Sequence, residues 1–116
     1  MLKPEVKKKW LKALRSGDYR QGRLGLKNTT GKRNYSYHCC LGVLCEIHAE
    51  ETGRRWSKST SSGRERAQKY MRREDALSHT VLTWSSLIET EQAELIMMND
   101  SGKSFATIAD YIEKNL

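Results

Sequence analysis

The sequence has little of what is typical of secreted, membrane-spanning or disulfide-stabilised proteins. It contains no run of the roughly 18 apolar residues that a membrane-spanning helix needs. Its three cysteines are an odd number and two of them are adjacent, which argues against a disulfide framework and for a reducing compartment. No apolar segment follows the basic N-terminal stretch, so we expect no signal peptide. These absences predict a protein of the cytoplasm that does not enter a membrane.

The chain is also short, and it contains a single proline. A length of 116 residues fits one domain over 1–116 and excludes a two-domain enzyme. Charged residues make up 30 % of the sequence and hydrophobic residues 37 %, so we expect a polar surface around a modest core.

Apolar residues at helical spacing predict most of the helices. Val6, Trp10 and Leu14 follow Pro4, which suits the first turn of a helix. The segment 39–48 is apolar almost all round, which indicates a buried helix in which Gly42 lets a neighbouring element approach closely. The predicted core residues are Trp10, Leu14, Leu41, Leu44, Ile47, Trp84, Leu95, Phe105, Ile108 and Ile112.

Weaker signals predict the rest of the chain. Alternating apolar and polar residues around a turn-forming stretch predict one β-hairpin, about residues 23–27 paired with 34–38. We expect a short helix after Thr80, a helix over 91–98 capped by Thr90, and a final helix capped by Ser104. Residues 57–73 form a predicted mobile basic loop. The predicted fold class is therefore mainly α (α+β): a compact small helical domain with one short β-hairpin.

Charge is strongly segregated along the chain. Residues 1–36 and 54–73 carry net charges of +9 and +7, whereas residues 37–53 and 74–116 carry −3 and −6. One interpretation is that these segments pair within the molecule. The other is that the two basic segments build one positive surface for an anionic partner such as nucleic acid, a nucleotide or an acidic protein face.

Basic residues interleaved with aromatic residues are the candidate ligand-binding residues. Arginine contacts phosphate in a bidentate manner, and aromatic rings offer stacking platforms for bases. No helix-turn-helix, zinc-finger or RNP pattern accompanies them. The candidates are Arg54, Arg55, Trp56, Arg64, Arg66, Lys69, Tyr70, Arg72, Arg73, Arg20, Arg23, Lys32 and Arg33.

Other motifs favour structural roles over chemistry. His38, Cys39, Cys40, Cys45 and His48 fall within eleven residues, but no Cys-x-x-Cys pair is present, and free cysteine is commonly buried. We therefore expect core cysteines, with no metal, no cofactor and no catalytic residues.

The tripeptide 102–104, Gly-Lys-Ser, looks like the end of a phosphate-binding loop. The complete loop needs a glycine at position 97, which is Met97. Two interpretations remain for this segment: a simple helix N-cap, or a helix N-terminus that holds one phosphate.

Three motifs together carry a resemblance. They are Leu-Arg-Ser-Gly-Asp-Tyr-Arg-Gln-Gly over 14–22, Cys-Cys-Leu-Gly-Val-Leu-Cys over 39–45, and the stretch over 98–113 that begins Met-Asn-Asp-Ser-Gly-Lys-Ser. In this order the sequence resembles a group of small phage- and prophage-encoded proteins of unassigned function. The resemblance implies a viral accessory protein acting in the cytoplasm of a bacterial host, and it provides no catalytic residues.

Two functional hypotheses follow. The first is a non-enzymatic phage accessory protein, acting in counter-defence or host takeover, that binds nucleic acid or a nucleotide signal through a basic surface. The second is an inhibitor that binds a host enzyme or defence complex, with the basic surface meeting an acidic protein face.

Overall fold

The computed structural model describes residues 1–29, 35–59 and 67–116. Within these ranges the chain forms five helices and five strands. The helices are α1 (Pro4–Arg15), α2 (Cys40–Thr52), α3 (His79–Ser85), α4 (Glu89–Asp100) and α5 (Phe105–Asn115). The strands are β1 (Arg20–Gln21), β2 (Lys27–Thr29), β3 (Ser36–His38), β4 (Ser57–Lys58) and β5 (Ala67–Lys69).

The first and last helices pack against each other as their apolar spacing predicts. Helix α1 buries Val6, Trp10 and Leu14, and α5 buries Phe105 and Ile108, among others. The Trp10 indole N–H donates a hydrogen bond to the Cys40 carbonyl oxygen at 2.9 Å, so this buried ring joins α1 to α2. The prediction that Trp10 anchors the core is confirmed.

Helix α2 is the central helix and is buried along most of its length, as predicted. The Cys39 sulfur caps its N-terminus by accepting a hydrogen bond from the Gly42 N–H, and Gly53 ends it with a left-handed φ of 75°. A Cβ atom at position 42 would lie 1.8 Å from the Leu26 carbonyl oxygen. Gly42 therefore allows the close approach that the sequence predicts.

The expectation of one short β-hairpin is wrong. The described residues form a five-stranded mixed sheet in the order β1-β3-β2-β5-β4. Strands β2 and β3 pair antiparallel, but they span 27–29 and 36–38, whereas the predicted strands spanned 23–27 and 34–38. Strand β1 pairs parallel with β3, and β5 joins β2 to β4. Strands of two or three residues are too short to show a periodic pattern, which is why the sequence did not indicate the other three.

Three local predictions also need correction. Helix α4 begins at Glu89, so Thr90 lies inside the helix; the Glu91 carboxylate instead accepts a hydrogen bond from the Ile88 N–H. Trp84 is half-buried and packs against the core from its edge. The described part of the predicted basic loop 57–73 contains β4, β5 and the turn that joins Tyr70 to Arg73, while residues 60–66 lie outside the described residues.

One side of the sheet faces the helices. The Gln21 side chain donates hydrogen bonds to the Asn99 side chain and to the Lys103 carbonyl oxygen. On the neighbouring strand, His38 bonds to Glu46 of α2. The domain therefore has two layers, helices and sheet, and the other side of the sheet is turned away from the helices.

Candidate nucleic-acid interface

The side of the sheet that is turned away from the helices can be assigned from the strand register. Arg20 lies opposite Tyr37, Tyr37 opposite Asn28, and Asn28 opposite Ala67. Directly paired residues point to the same side, and so do residues two positions apart on one strand. We call this side the outer face. It comprises Arg20, Asn28, Tyr35, Tyr37, Ser57, Ser59, Ala67 and Lys69.

Burial supports this assignment. Tyr35 and Tyr37 belong neither to the hydrophobic core nor to the partly buried residues packed against it, whereas Tyr19 and Tyr111 do. Ala67 is buried but also lies outside the core cluster. Tyr35 is 39 % exposed. The outer face thus presents two aromatic side chains that the core does not use.

The outer face carries two cations. The Arg20 guanidinium lies 4.0 Å from the centroid of the Tyr35 ring, a cation–π contact that orders the arginine above the sheet. Lys69 adds a second cation from β5. The Ser59 hydroxyl donates a hydrogen bond to the Glu74 carboxylate, so one negative charge borders this face. A surface with two cations and two tyrosines can pair with phosphate and stack on a planar ring.

Of the candidate ligand-binding residues within the described ranges, only Arg20 and Lys69 lie on this face. Trp56 and Tyr70 point to the helix side. The Trp56 indole donates to Glu46, and Tyr70 is only 1 % exposed with its hydroxyl 2.6 Å from Nδ1 of His48. Since its ring is fully buried, Tyr70 offers no face to a base, and that part of the prediction is corrected.

The other described candidates are exposed but dispersed. Arg54 and Arg55 follow the end of α2. Arg23 lies beside the N-terminal end of α5, with its Nη2 atom 3.0 Å from the place of a Cβ at Gly102. Lys32, Arg33, Arg64 and Arg66 lie outside the described residues.

Arg72 and Arg73 belong to a tight turn. Tyr70 and Arg73 exchange backbone hydrogen bonds of 2.8 and 3.0 Å across it. Met71 and Arg72, the two residues between, have φ values of 50° and 70°. This left-handed backbone conformation is energetically unfavourable for residues other than glycine. The turn holds exposed arginines at the end of β5, away from the row formed by Arg20 and Tyr37.

A polar cluster on the helix side supports the sheet from beneath, and sequence reasoning missed it. Glu46 of α2 accepts hydrogen bonds from Lys27 at 3.1 Å and from the Trp56 indole at 2.9 Å, and its Oε2 lies 2.6 Å from Nε2 of His38. Lys27 and His38 are directly paired on β2 and β3. One carboxylate therefore fixes two adjacent strands to α2, so that the outer face lies on a rigid support.

Electrostatics keep this carboxylate ionised. Burial opposes the charge of Glu46, but the hydrogen bonds from His38 and Trp56 and the charge of Lys27 outweigh it and lower its pKa to about 2. Nδ1 of His38 is buried, and no described residue forms a hydrogen bond with it. The only signal in the sequence was a single glutamate within an otherwise apolar helix segment.

The cysteines form no reactive centre in the described residues. Cys39, Cys40 and Cys45 are buried free thiols. Burial raises the pKa of Cys39 to about 11 and the pKa values of the other two well above their ordinary range, which keeps all three protonated. Throughout the described ranges, no three His, Cys, Asp or Glu side chains converge as metal ligands would.

Two other features are less suited to an anion. A surface cleft of about 420 Å³ between α1 and α2 is lined by Lys9 and Lys12 together with Asp18, Glu50 and Glu51, so its charges largely cancel. The Ser104 hydroxyl accepts a hydrogen bond from the Thr107 N–H. Ser104 therefore caps α5, as the sequence predicts.

Comparison with known proteins places the chain in a family. No helix within the described residues has the length and apolar character required to cross a membrane. No curated protein and no solved structure matches the chain. A family model described as "Domain of unknown function (DUF8296)" matches residues 2–116, and the chain therefore belongs to that family.

Proposed function

We propose that this protein is a non-enzymatic phage accessory protein, active in counter-defence or host takeover in the bacterial cytoplasm. It works by binding a phosphate-rich ligand, either nucleic acid or a nucleotide. The observation that carries the proposal is the outer face. It has the two cations Arg20 and Lys69 and two tyrosines outside the core.

The chemistry of this face matches a phosphate-bearing ligand. The planar guanidinium of Arg20 can donate two parallel hydrogen bonds to one phosphate, and the Lys69 ammonium supplies a second positive charge. A net charge of +7 attracts polyanions at long range, and each phosphate contact releases counterions. Binding through such contacts weakens as salt concentration rises.

The test is a charge reversal on the outer face. The Arg20→Glu/Lys69→Glu variant should lose most of its affinity for a fluorescein-labelled oligonucleotide, because both phosphate contacts become repulsive. The slope of log K against log salt concentration should become shallower by about 2, about 1 for each lost contact. Fluorescence anisotropy titrations at several salt concentrations measure both quantities.

The matched control is Lys8→Glu/Lys114→Glu, which changes the net charge equally on exposed positions of α1 and α5. This control should retain most of the wild-type affinity. Equal loss in both variants would mean that only overall charge matters, and it would contradict a binding site on the outer face.

A protein partner is the second candidate, and one observation favours it. Leu24 is 74 % exposed and has a φ of 59°, a conformation that is costly for leucine. It borders a surface cavity of about 310 Å³ together with Gly25 and Ile96. Strained, exposed apolar residues are often binding residues. If the wild-type protein binds no oligonucleotide or nucleotide but retains one host protein after nuclease treatment of a lysate, this candidate replaces the first.

A further inference from the structure

The cleft between α1 and α2 is formed by one face of each helix. The lining residues of α1 and its C-cap recur at the three- and four-residue spacing of a single helix face, and so do those of α2. The two residues that begin the connection from α1 to β1 complete the lining. The cleft has a volume of about 420 Å³, within the range of small-molecule sites, and is lined by Lys9, Lys12, Ala13, Ser16, Asp18, Tyr19, Ile47, Glu50 and Glu51.

One ion pair in this lining joins the two helices. Lys9 of α1 donates to a carboxylate oxygen of Glu51 on α2 at 2.6 Å. The Trp84 indole donates to the other oxygen of the same carboxylate at 3.1 Å. Because Lys9 and Glu51 already have partners, they fix the width of the cleft and are not its ligand-binding groups.

Three other charged side chains of the lining are available to a ligand. Lys12, Asp18 and Glu50 are exposed, and the side chain of none of them forms an ion pair or a hydrogen bond with another described residue. Together they comprise one cation and two carboxylates. A small molecule that complements them therefore carries one negative group and two positive groups.

Tyr19 adds an aromatic ring close to the two carboxylates. The ring is half-buried, contacts His38 edge-on with the two centroids 5.1 Å apart, and lines the cleft. Burial and the charges of Glu46, Glu50 and Asp18 raise the pKa of its hydroxyl, so the phenol stays neutral. A neutral aromatic ring surrounded by carboxylates attracts an ammonium or guanidinium group, because the ring face and the carboxylates both favour positive charge.

We infer that the cleft between α1 and α2 binds a free basic amino acid of the lysine or arginine class. Its carboxylate pairs with Lys12. Its two cationic groups pair with Asp18 and Glu50, one of them beside the Tyr19 ring. The apolar side chains of the lining contact its methylene groups. Such a ligand carries no phosphate, so this site is independent of the outer face and of the function proposed for it.

The experiment titrates the protein with four probes and follows its backbone amides by ¹H–¹⁵N NMR. L-Lysine and L-arginine are the expected ligands. L-Norleucine lacks the side-chain cation, and cadaverine lacks the carboxylate. The two basic amino acids should bind at least about tenfold more tightly than either comparison probe, because each comparison probe loses one charge-assisted contact. The amides of Lys12, Asp18 and Glu50 should shift on binding.

Two variants test the assigned contacts. Asp18→Asn/Glu50→Gln should weaken L-lysine binding by at least about tenfold. Lys12→Gln should weaken the binding of L-lysine but not that of cadaverine, which has no carboxylate to lose. All three positions are exposed, and thermal unfolding verifies that the fold is unchanged.

The matched control is Glu89→Gln/Glu94→Gln, which removes two carboxylates from α4, away from the cleft. It should bind L-lysine like the wild type. Equal weakening in the control would overturn the inference, and so would cadaverine or L-norleucine binding as tightly as L-lysine. The absence of amide shifts with all four probes at millimolar concentration would also overturn it. None of these outcomes affects the oligonucleotide test of the outer face.

Discussion

At the scale of single residues, Glu46 has the largest effect on the candidate site. It lies on α2, is 22 % exposed at its side chain, and holds His38, Lys27 and Trp56 together. His38 and Trp56 lie eight and ten residues from Glu46 in the sequence, and Lys27 lies nineteen residues before it. Two of them are strand residues beneath the outer face, so this carboxylate aligns the strands that carry the binding residues on their other side.

The depressed pKa of Glu46 predicts a specific dependence of stability on pH. The folded-state value is about 2, against an ordinary value of 4.5. Because the folded pKa is lowered, its contribution is complete above pH 4.5 and is lost as pH falls towards 2. The maximum contribution is about 3 kcal/mol. Glu46→Gln should therefore lower the free energy of unfolding by about 2–3 kcal/mol at pH 7 and by much less at pH 2 to 3.

Urea denaturation of the wild type and the variant at pH 7, 4 and 3 measures this difference. Glu50→Gln is the matched control, because Glu50 is exposed on the same helix and has no ion-pair partner in the described part of the chain. Its pH profile should follow the wild type. A constant gap between Glu46→Gln and the wild type at all three pH values would contradict the electrostatic role of Glu46.

At the scale of elements, the contact between α2 and the strand region depends on Gly42. The Leu26 carbonyl oxygen, which accepts a hydrogen bond from the Cys39 N–H at 3.2 Å, occupies the space that a side chain at position 42 would fill. The obstacle is backbone, so it cannot move aside as a flexible side chain can. Gly42→Ala should lower the free energy of unfolding by about 3 kcal/mol or more.

Gly53→Ala provides the comparison, because it introduces the same methyl group where nothing lies within 4 Å. It should cost only about 1 kcal/mol, the penalty of a left-handed φ for alanine. Chemical denaturation of both variants measures the difference. If the two substitutions cost the same, the close approach at Gly42 does not control the packing of α2.

The elements differ in how far the sequence could predict them. Helices α1, α2 and α5 have 11 to 13 residues with buried positions on a recognisable face or all round, and the sequence predicted all three. The sheet depends on register between distant segments, such as Asn28 with Ala67, which no local pattern encodes. The basic residues could be read from the sequence. The side of the sheet to which a residue points depends on register, so the inward direction of Trp56 and Tyr70 could not be predicted.

At the scale of the whole molecule, the alternating charge blocks have two different uses. In α1, Arg15 forms ion pairs with Asp110 at 2.8 Å and Glu113 at 2.9 Å, and Lys9 pairs with Glu51 at 2.6 Å. Part of the first basic segment therefore pairs within the molecule, as one interpretation expected. Arg20 from that segment and Lys69 from the second lie on the outer face.

The two layers of the molecule are joined by Asn99, which is 1 % exposed. Its Oδ1 accepts hydrogen bonds from the Gln21 side chain and the Cys40 N–H, and its Nδ2 donates to the Gly22 carbonyl oxygen at 2.8 Å. One side chain at the end of α4 thus holds both the first strand and the start of α2. Gln21 also donates to the Lys103 carbonyl oxygen, whereas Asn99 is the partner of the Cys40 N–H and of the Gly22 carbonyl oxygen.

Asn99→Ala should therefore destabilise the sheet and the start of α2 together, because it leaves at least two buried backbone groups unpaired. The expected loss in the free energy of unfolding is about 3 kcal/mol. In hydrogen exchange, the amides of Gly22 and Cys40 should lose protection together with those of β3. Asn115→Ala, at the exposed end of α5, should leave both measurements close to wild type. Loss of protection confined to α4 would show that Asn99 stabilises only its own helix, and that the outer face keeps its shape without this connection.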